Sequence, residues 1–174
     1  MRDSSNKWFP ITDKSIENIQ DIDSFSSKEL NQKVTEKCKE ILSDLKNDEV
    51  GTEETVSIRI SSLESEKQKG EQGTGGVKFI EMDSPYVAIH NHPSNETFSI
   101  RDLEVLWSER LCQSIVVVGN KGNIFVMNKN NSYDALGFFQ HIMSEKLGLT
   151  KHKSRKDFMK EAEKYGLEYY EKTN

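Results

Sequence analysis

The apolar positions of this chain change period several times, and each change marks an element. From Ser27, placed to cap a helix, Leu30, Val34, Cys38, Ile41, Leu42 and Leu45 recur at helical spacing with charges between them. That pattern predicts an amphipathic helix ending before Gly51. Thr55 to Ile60, TVSIRI, then alternates apolar and polar residues with β-branching, as a half-buried strand does, and Glu53 and Glu54 stand at its start. The run SLESEKQKGEQGTGG is polar and glycine-rich, so residues 61–76 read as a mobile surface loop. GVKFIEM and YVAIH follow as two further strands. Ser99 opens a second helix, with Leu103, Leu106, Trp107 and Leu111 on one face. SIVVVG is a short continuous apolar run, the mark of a strand covered on both faces, and NKGN turns the chain into a returning strand, IFVM.

The two ends carry less pattern. The first two dozen residues scatter Trp8, Phe9, Ile11, Ile16, Ile19 and Ile22 without a clean period, which reads as a loosely packed arm. From Ser132 onward the chain looks helical, through ALGFFQHIMSEKLG and then SRKDFMKEAEKYGLEYY. The expected organisation is an arm over 1–26, one α/β domain over 27–150 with a mixed sheet flanked by helices, and a helical extension over 151–174. No internal repeat is visible.

Composition narrows the classes. A chain of 174 residues, 34% hydrophobic and 30% charged, is long enough for one domain with a sizeable core. Its net charge of -5 gives no overall attraction for nucleic acid, leaving only a local basic patch such as Lys151 to Lys156 for that role. Cys38 and Cys112 are too few and too far apart for a disulfide framework or a Cys-x-x-Cys element, which fits a reducing compartment. No segment approaches the roughly 18 consecutive apolar residues of a membrane span, and the N-terminus lacks the apolar run of a signal peptide. The expectation is a soluble, cytoplasmic protein.

Candidate chemistry concentrates in Tyr86 to Asp102, YVAIHNHPSNETFSIRD. On a strand, His90 and His92 share a face, with Cα atoms about 6.5 Å apart, so both imidazoles can reach one metal. Pro93 cannot donate a ladder hydrogen bond and ends the strand there, where a ligand can approach. Asp102 adds a carboxylate oxygen from the following helix. Two nitrogens and one oxygen make the three-ligand set of a catalytic zinc, whose fourth position is left to water. Ser99 and Asp102 also have nearly the spacing of a capping box, and capping alone accounts for that pair. The two histidines in register, the strand-ending proline and the acid on the next helix together favour the metal.

The same residues resemble a known family. His90-Asn91-His92-Pro93-Ser94, then Phe98-Ser99 and Asp102, are similar to the His-x-His-Pro…Ser-x-x-Asp signature of the JAMM metalloproteases, also called JAB or MPN+ domains. The form looks most like the bacterial and phage-associated members, related to the RadC-like branch. The gap from His92 to Ser99 is one residue shorter than in the eukaryotic deubiquitinases, and Asn95 stands where many bacterial members carry glycine. Asparagine visits left-handed backbone more readily than other non-glycine residues, so the turn can survive.

The resemblance implies a cytidine-deaminase-like mixed sheet and a zinc ion on His90, His92 and Asp102, with Ser99 donating to an oxyanion. It also implies a glutamate at a strand start that moves protons. Glu53 in Gly51-Thr52-Glu53-Glu54 is preferred for that role, Glu54 is its rival, and Glu81 is a weaker candidate. The implied activity is hydrolysis of an amide or isopeptide bond in a protein or peptide substrate, of ubiquitin-like or phage-related kind. The alternative is a RadC-like or phage-head accessory module that keeps the metal and binds DNA or protein. An inactive scaffold is a third reading. Zinc nucleobase deaminases need Pro-Cys-x-x-Cys, which is absent. His141 reads as a packing or helix-surface residue, and His152 as part of the solvated basic run.

Overall fold

Strand periods dominate the middle of the chain, and the computed structural model, which describes residues 7–174, assembles them into one sheet. Its strands are β1 (Glu54–Arg59), β2 (Ser65–Lys69), β3 (Tyr86–His92), β4 (Cys112–Gly119), β5 (Ile124–Lys129) and β6 (Leu167–Lys172), in the order β2-β1-β3-β4-β5-β6. β3 and β4 run parallel and the other neighbours antiparallel, so the sheet is mixed. A parallel pair needs a crossover connection. Here it carries α3 (Ile100–Ser108).

Side chains alternate across a strand, and β4 and β5 use both faces. Ile115, Val117, Phe125 and Met127 join one core with Leu103 and Leu106 of α3, Phe138 and Ile142 of α4 (Ala135–Lys146), and Phe158 and Met159 of α5 (Arg155–Glu161). Val116, Val118, Ile124 and Val126 join the other with Val34, Cys38, Ile41 and Leu42 of α2 (Lys28–Leu45). The result is a single α/β domain of three layers, with its sheet covered on both faces. α2 is capped as expected, Ser27 Oγ accepting the Leu30 N–H.

Four expectations are corrected. The N-terminal segment is not a loose arm: it forms α1 (Asp13–Glu17) and buries Ile19 and Ile22 in the α2-side core. The first six residues of that expected arm lie outside the described residues. Residues 61–76 are not all loop, because β2 lies within them and pairs with β1. Its polarity hid it: SEKQK is an exposed edge strand whose Lys67 reaches Glu40 and Asp44, and whose Lys69 reaches Asp48. GVKFIEM is not a strand. Both edges of β1 are already taken, by β2 and β3, so this segment has no free edge beside β1, and it packs Phe79 and Met82 into the core instead. The C-terminal segment is only partly helical. After α5 and a short 3₁₀ turn, Gly166 at φ 74° ends the helical stretch and β6 joins the sheet beside β5.

Candidate metal centre

β3 ends where α3 begins to form, and the ligand-type side chains gather there, outside the carboxyl end of a parallel strand. His90 Nε2 and His92 Nε2 lie 2.9 Å apart. His90 Nε2 lies 3.2 Å from Asp102 Oδ1, and His92 Nε2 lies 3.2 Å from Asp102 Oδ2. Ligand atoms around a tetrahedral zinc at 2.0–2.1 Å lie about 3.3 Å from one another, so a small outward movement makes this set fit. His92 is held from behind, its Nδ1 lying 3.0 Å from the Glu96 carbonyl, the outer contact that aims the other nitrogen inward. Among the described residues, His90 lacks such a partner. Its Nδ1 is buried without one, and the Phe79 ring packs edge-on against the imidazole.

Capping and clustering are not alternatives here. Ser99 Oγ accepts the Asp102 N–H at 3.2 Å, and the Ser99 N–H donates to Asp102 Oδ2 at 2.6 Å. The capping box thus fixes the carboxylate against both histidines. Because Ser99 Oγ is the acceptor in that bond, its own hydroxyl proton remains available. Burial opposes ionisation of Asp102, but His90 and His92 overcome it and hold the carboxyl well below its usual range. Burial likewise opposes charging of His92, and the Asp102 carboxylate more than offsets it.

Strand parity sorts the two glutamates. Glu54 shares parity with Val56 and Ile58, which face α2, and its neighbours there are Asp44, Lys67, Lys69 and Glu40. Glu53 falls on the opposite face, that of Thr55, whose strand partner is His90. Glu53 lines the same pocket as His90, His92, Ser99 and Asp102, and Glu81 does not. Burial raises the Glu53 carboxyl above its usual value, with His90 and His92 acting in the opposite sense. Glu54 is pushed up to about 7, by burial first and Asp44 next.

The residue between the histidines was not singled out from the sequence. Asn91 points to the other face, where its Oδ1 accepts the Glu54 N–H at 2.8 Å and its amide donates to the Thr52 carbonyl at 3.2 Å. These two bonds bracket Glu53 along the backbone. The Glu53 carbonyl is held as well, accepting the Gly70 N–H at 2.7 Å. The sequence offered one clue: a polar side chain on the core-facing parity of a buried strand needs partners.

Trp8, Phe79 and Arg101 also line the pocket, as do Thr74 to Val77. The N-terminal segment reaches the site through the Phe9 N–H, which donates to the Pro93 carbonyl at 2.9 Å. Asn95 adopts φ 61°, the left-handed backbone expected of it, and its Oδ1 accepts the Lys121 N–H at 3.0 Å.

Elsewhere, His141 is buried and stacked on Phe158. His152 is not solvated: it sits between Glu145 and Glu161 with 7% of its side chain exposed. Within the basic run, Lys156 pairs with Glu171 and Arg155 donates to the Phe98 carbonyl, so part of its charge is spent internally. No helix among the described residues is long and apolar enough to cross a membrane. No family model, curated protein or solved structure matches the chain.

Proposed function

We propose that this chain is a zinc-dependent hydrolase of JAMM type, cleaving an amide or isopeptide bond in a protein or peptide substrate. The observation that carries the reading is the convergence of His90, His92 and Asp102 at the end of β3 with Glu53 in the same pocket. The mixed sheet, with the cluster at the end of a parallel strand, and the resemblance of the His90–Asp102 motif to the JAMM signature support it. Two imidazoles and a carboxylate suit zinc, with one position left open.

When bound there, zinc would supply Lewis acidity and lower the pKa of a coordinated water to about 7. The chain's own groups do the remainder. Glu53, its affinity for a proton raised by burial, accepts the proton of the attacking water and delivers it to the leaving nitrogen. The Ser99 hydroxyl, free to donate, hydrogen-bonds the oxygen that gains charge. Asn91 keeps Glu53 in place through the backbone on either side of it. Ubiquitin-like tails and phage-related proteins both present such a bond, and buried, unpaired Cys38 and Cys112 suit the reducing cytoplasm as its setting.

The test is substitution against an amide- or isopeptide-linked reporter, together with elemental analysis. His90→Ala/His92→Ala is expected to carry one zinc equivalent fewer than wild type. Glu53→Gln is expected to keep that zinc and lose turnover by roughly 10²–10⁴-fold. Unchanged zinc in the double variant overturns the metal assignment. If Glu54→Gln proves inactive while Glu53→Gln turns over normally, the general base is the other glutamate.

A further inference from the structure

A second group of ligand-type side chains is built from the segment that follows the fifth strand. His141 on α4, His152 in the connection to α5, and Glu161 at the end of α5 each offer one ligand atom, all within 4.8 Å of one another. The two imidazole rings lie 5.4 Å apart between centroids.

Each imidazole has an acceptor on one nitrogen outside this trio. His152 Nδ1 lies 2.7 Å from Glu145 Oε2, and Glu145 stands one helical turn after His141 on α4. His152 Nε2 then faces Glu161, at 2.8 Å. His141 Nε2 lies 3.0 Å from the Phe158 carbonyl, so as a donor there it keeps Nδ1 as its lone pair. A carboxylate or carbonyl behind each histidine is the arrangement that fixes tautomer and ring orientation around a metal. One wall is aromatic: Phe158 stacks on His141 at 4.1 Å and meets His152 edge-on at 5.2 Å, and Tyr165 leans over His141.

We infer that His141, His152 and Glu161 form a second metal site, for a divalent transition ion of the zinc class, with Glu145 holding His152 from behind. Two imidazoles and one carboxylate suit zinc, cobalt and nickel better than the oxygen-seeking calcium or magnesium. The ion would tie three separate pieces of chain, α4, residues 147–154 and α5, to one point. Its role is to hold that connection against α4, and it is independent of the centre at His90.

The competing arrangement is a metal-free ion triad, with a protonated His152 lying between two carboxylates. Metal counting separates the two. Full-length protein stripped with a chelator is titrated with zinc, then with cobalt(II) as a spectroscopic probe, and folding is followed by circular dichroism. His90→Ala/His92→Ala is expected to retain about one equivalent, and His152→Gln/Glu161→Gln in the wild-type background to lose one. The second pair is chosen because Glu161 is half exposed and His152 lies outside any helix or strand. Zinc uptake that His152→Gln/Glu161→Gln leaves undiminished in folded protein overturns the site. A protein that binds one equivalent, lost on His152→Gln/Glu161→Gln and kept on His90→Ala/His92→Ala, leaves this site standing and removes the metal centre at His90 instead.

Discussion

At the scale of single residues, two adjacent glutamates have opposite environments because a strand turns alternate side chains to opposite faces. Glu54 faces α2, where Asp44 and Glu40 are neighbours and its Oε1 is buried without a partner among the described residues. Its carboxyl moves from 4.5 to about 7 on folding. A raised folded value means that the protonated form suits the fold. The associated stability is fully present below about pH 4.5 and is lost as pH rises through 7. Glu54→Gln keeps the shape and cannot ionise, so it should match wild type in acid and exceed it at pH 8 by up to about 3 kcal/mol. Urea midpoints measured at both pH values check this, and a pH-independent difference would count against the assignment. Asn91 belongs to the same scale. Asn91→Ala frees the backbone on both sides of Glu53, so kcat should fall about tenfold or more while KM and zinc content hold. An effect through folding alone would lower the active fraction and leave the kcat of the folded fraction unchanged.

At the scale of elements, the unit β3–α3–β4 concentrates the chemistry. The strand supplies two imidazoles on one face, its end is marked by Pro93, and the cap of the next helix supplies the carboxylate. This much was legible in the sequence because every part is local, spanning Tyr86 to Asp102. β6 was not. LEYYEK alternates, with Leu167 and Tyr169 toward one core and Tyr170 toward the other, but it follows a helical run with only Gly166 between them. Its identity as a strand depends on the free edge of β5. Leu167 is 1% exposed, and Leu167→Ala should cost about 2–4 kcal/mol, read as a lower denaturation midpoint. A solvated helical tail would lose far less. β2 was missed for the opposite reason: its charged side chains carry no periodic signal, and only pairing with β1 makes it a strand.

At the scale of the whole molecule, the sequence by itself determined the α/β class, the buried strands and the local grouping of His90, His92 and Asp102. Each of these is written in a period or in a short spacing that neighbouring residues enforce. That Glu53, and not Glu54, lines the pocket of the histidines stood half in each: the sequence placed both beside a strand, and the parity of that strand against α2 separated them. The tertiary structure alone decided what depends on contacts between distant segments. It brought Trp8 to the pocket at His90 and the Phe9 N–H to the Pro93 carbonyl, buried Ile19 and Ile22, and denied residues 76–82 an edge beside β1. It also paired part of a basic run, closing His152 between carboxylates from two helices. Periodicity reports which face a residue prefers, and only the packed chain supplies the partner on that face.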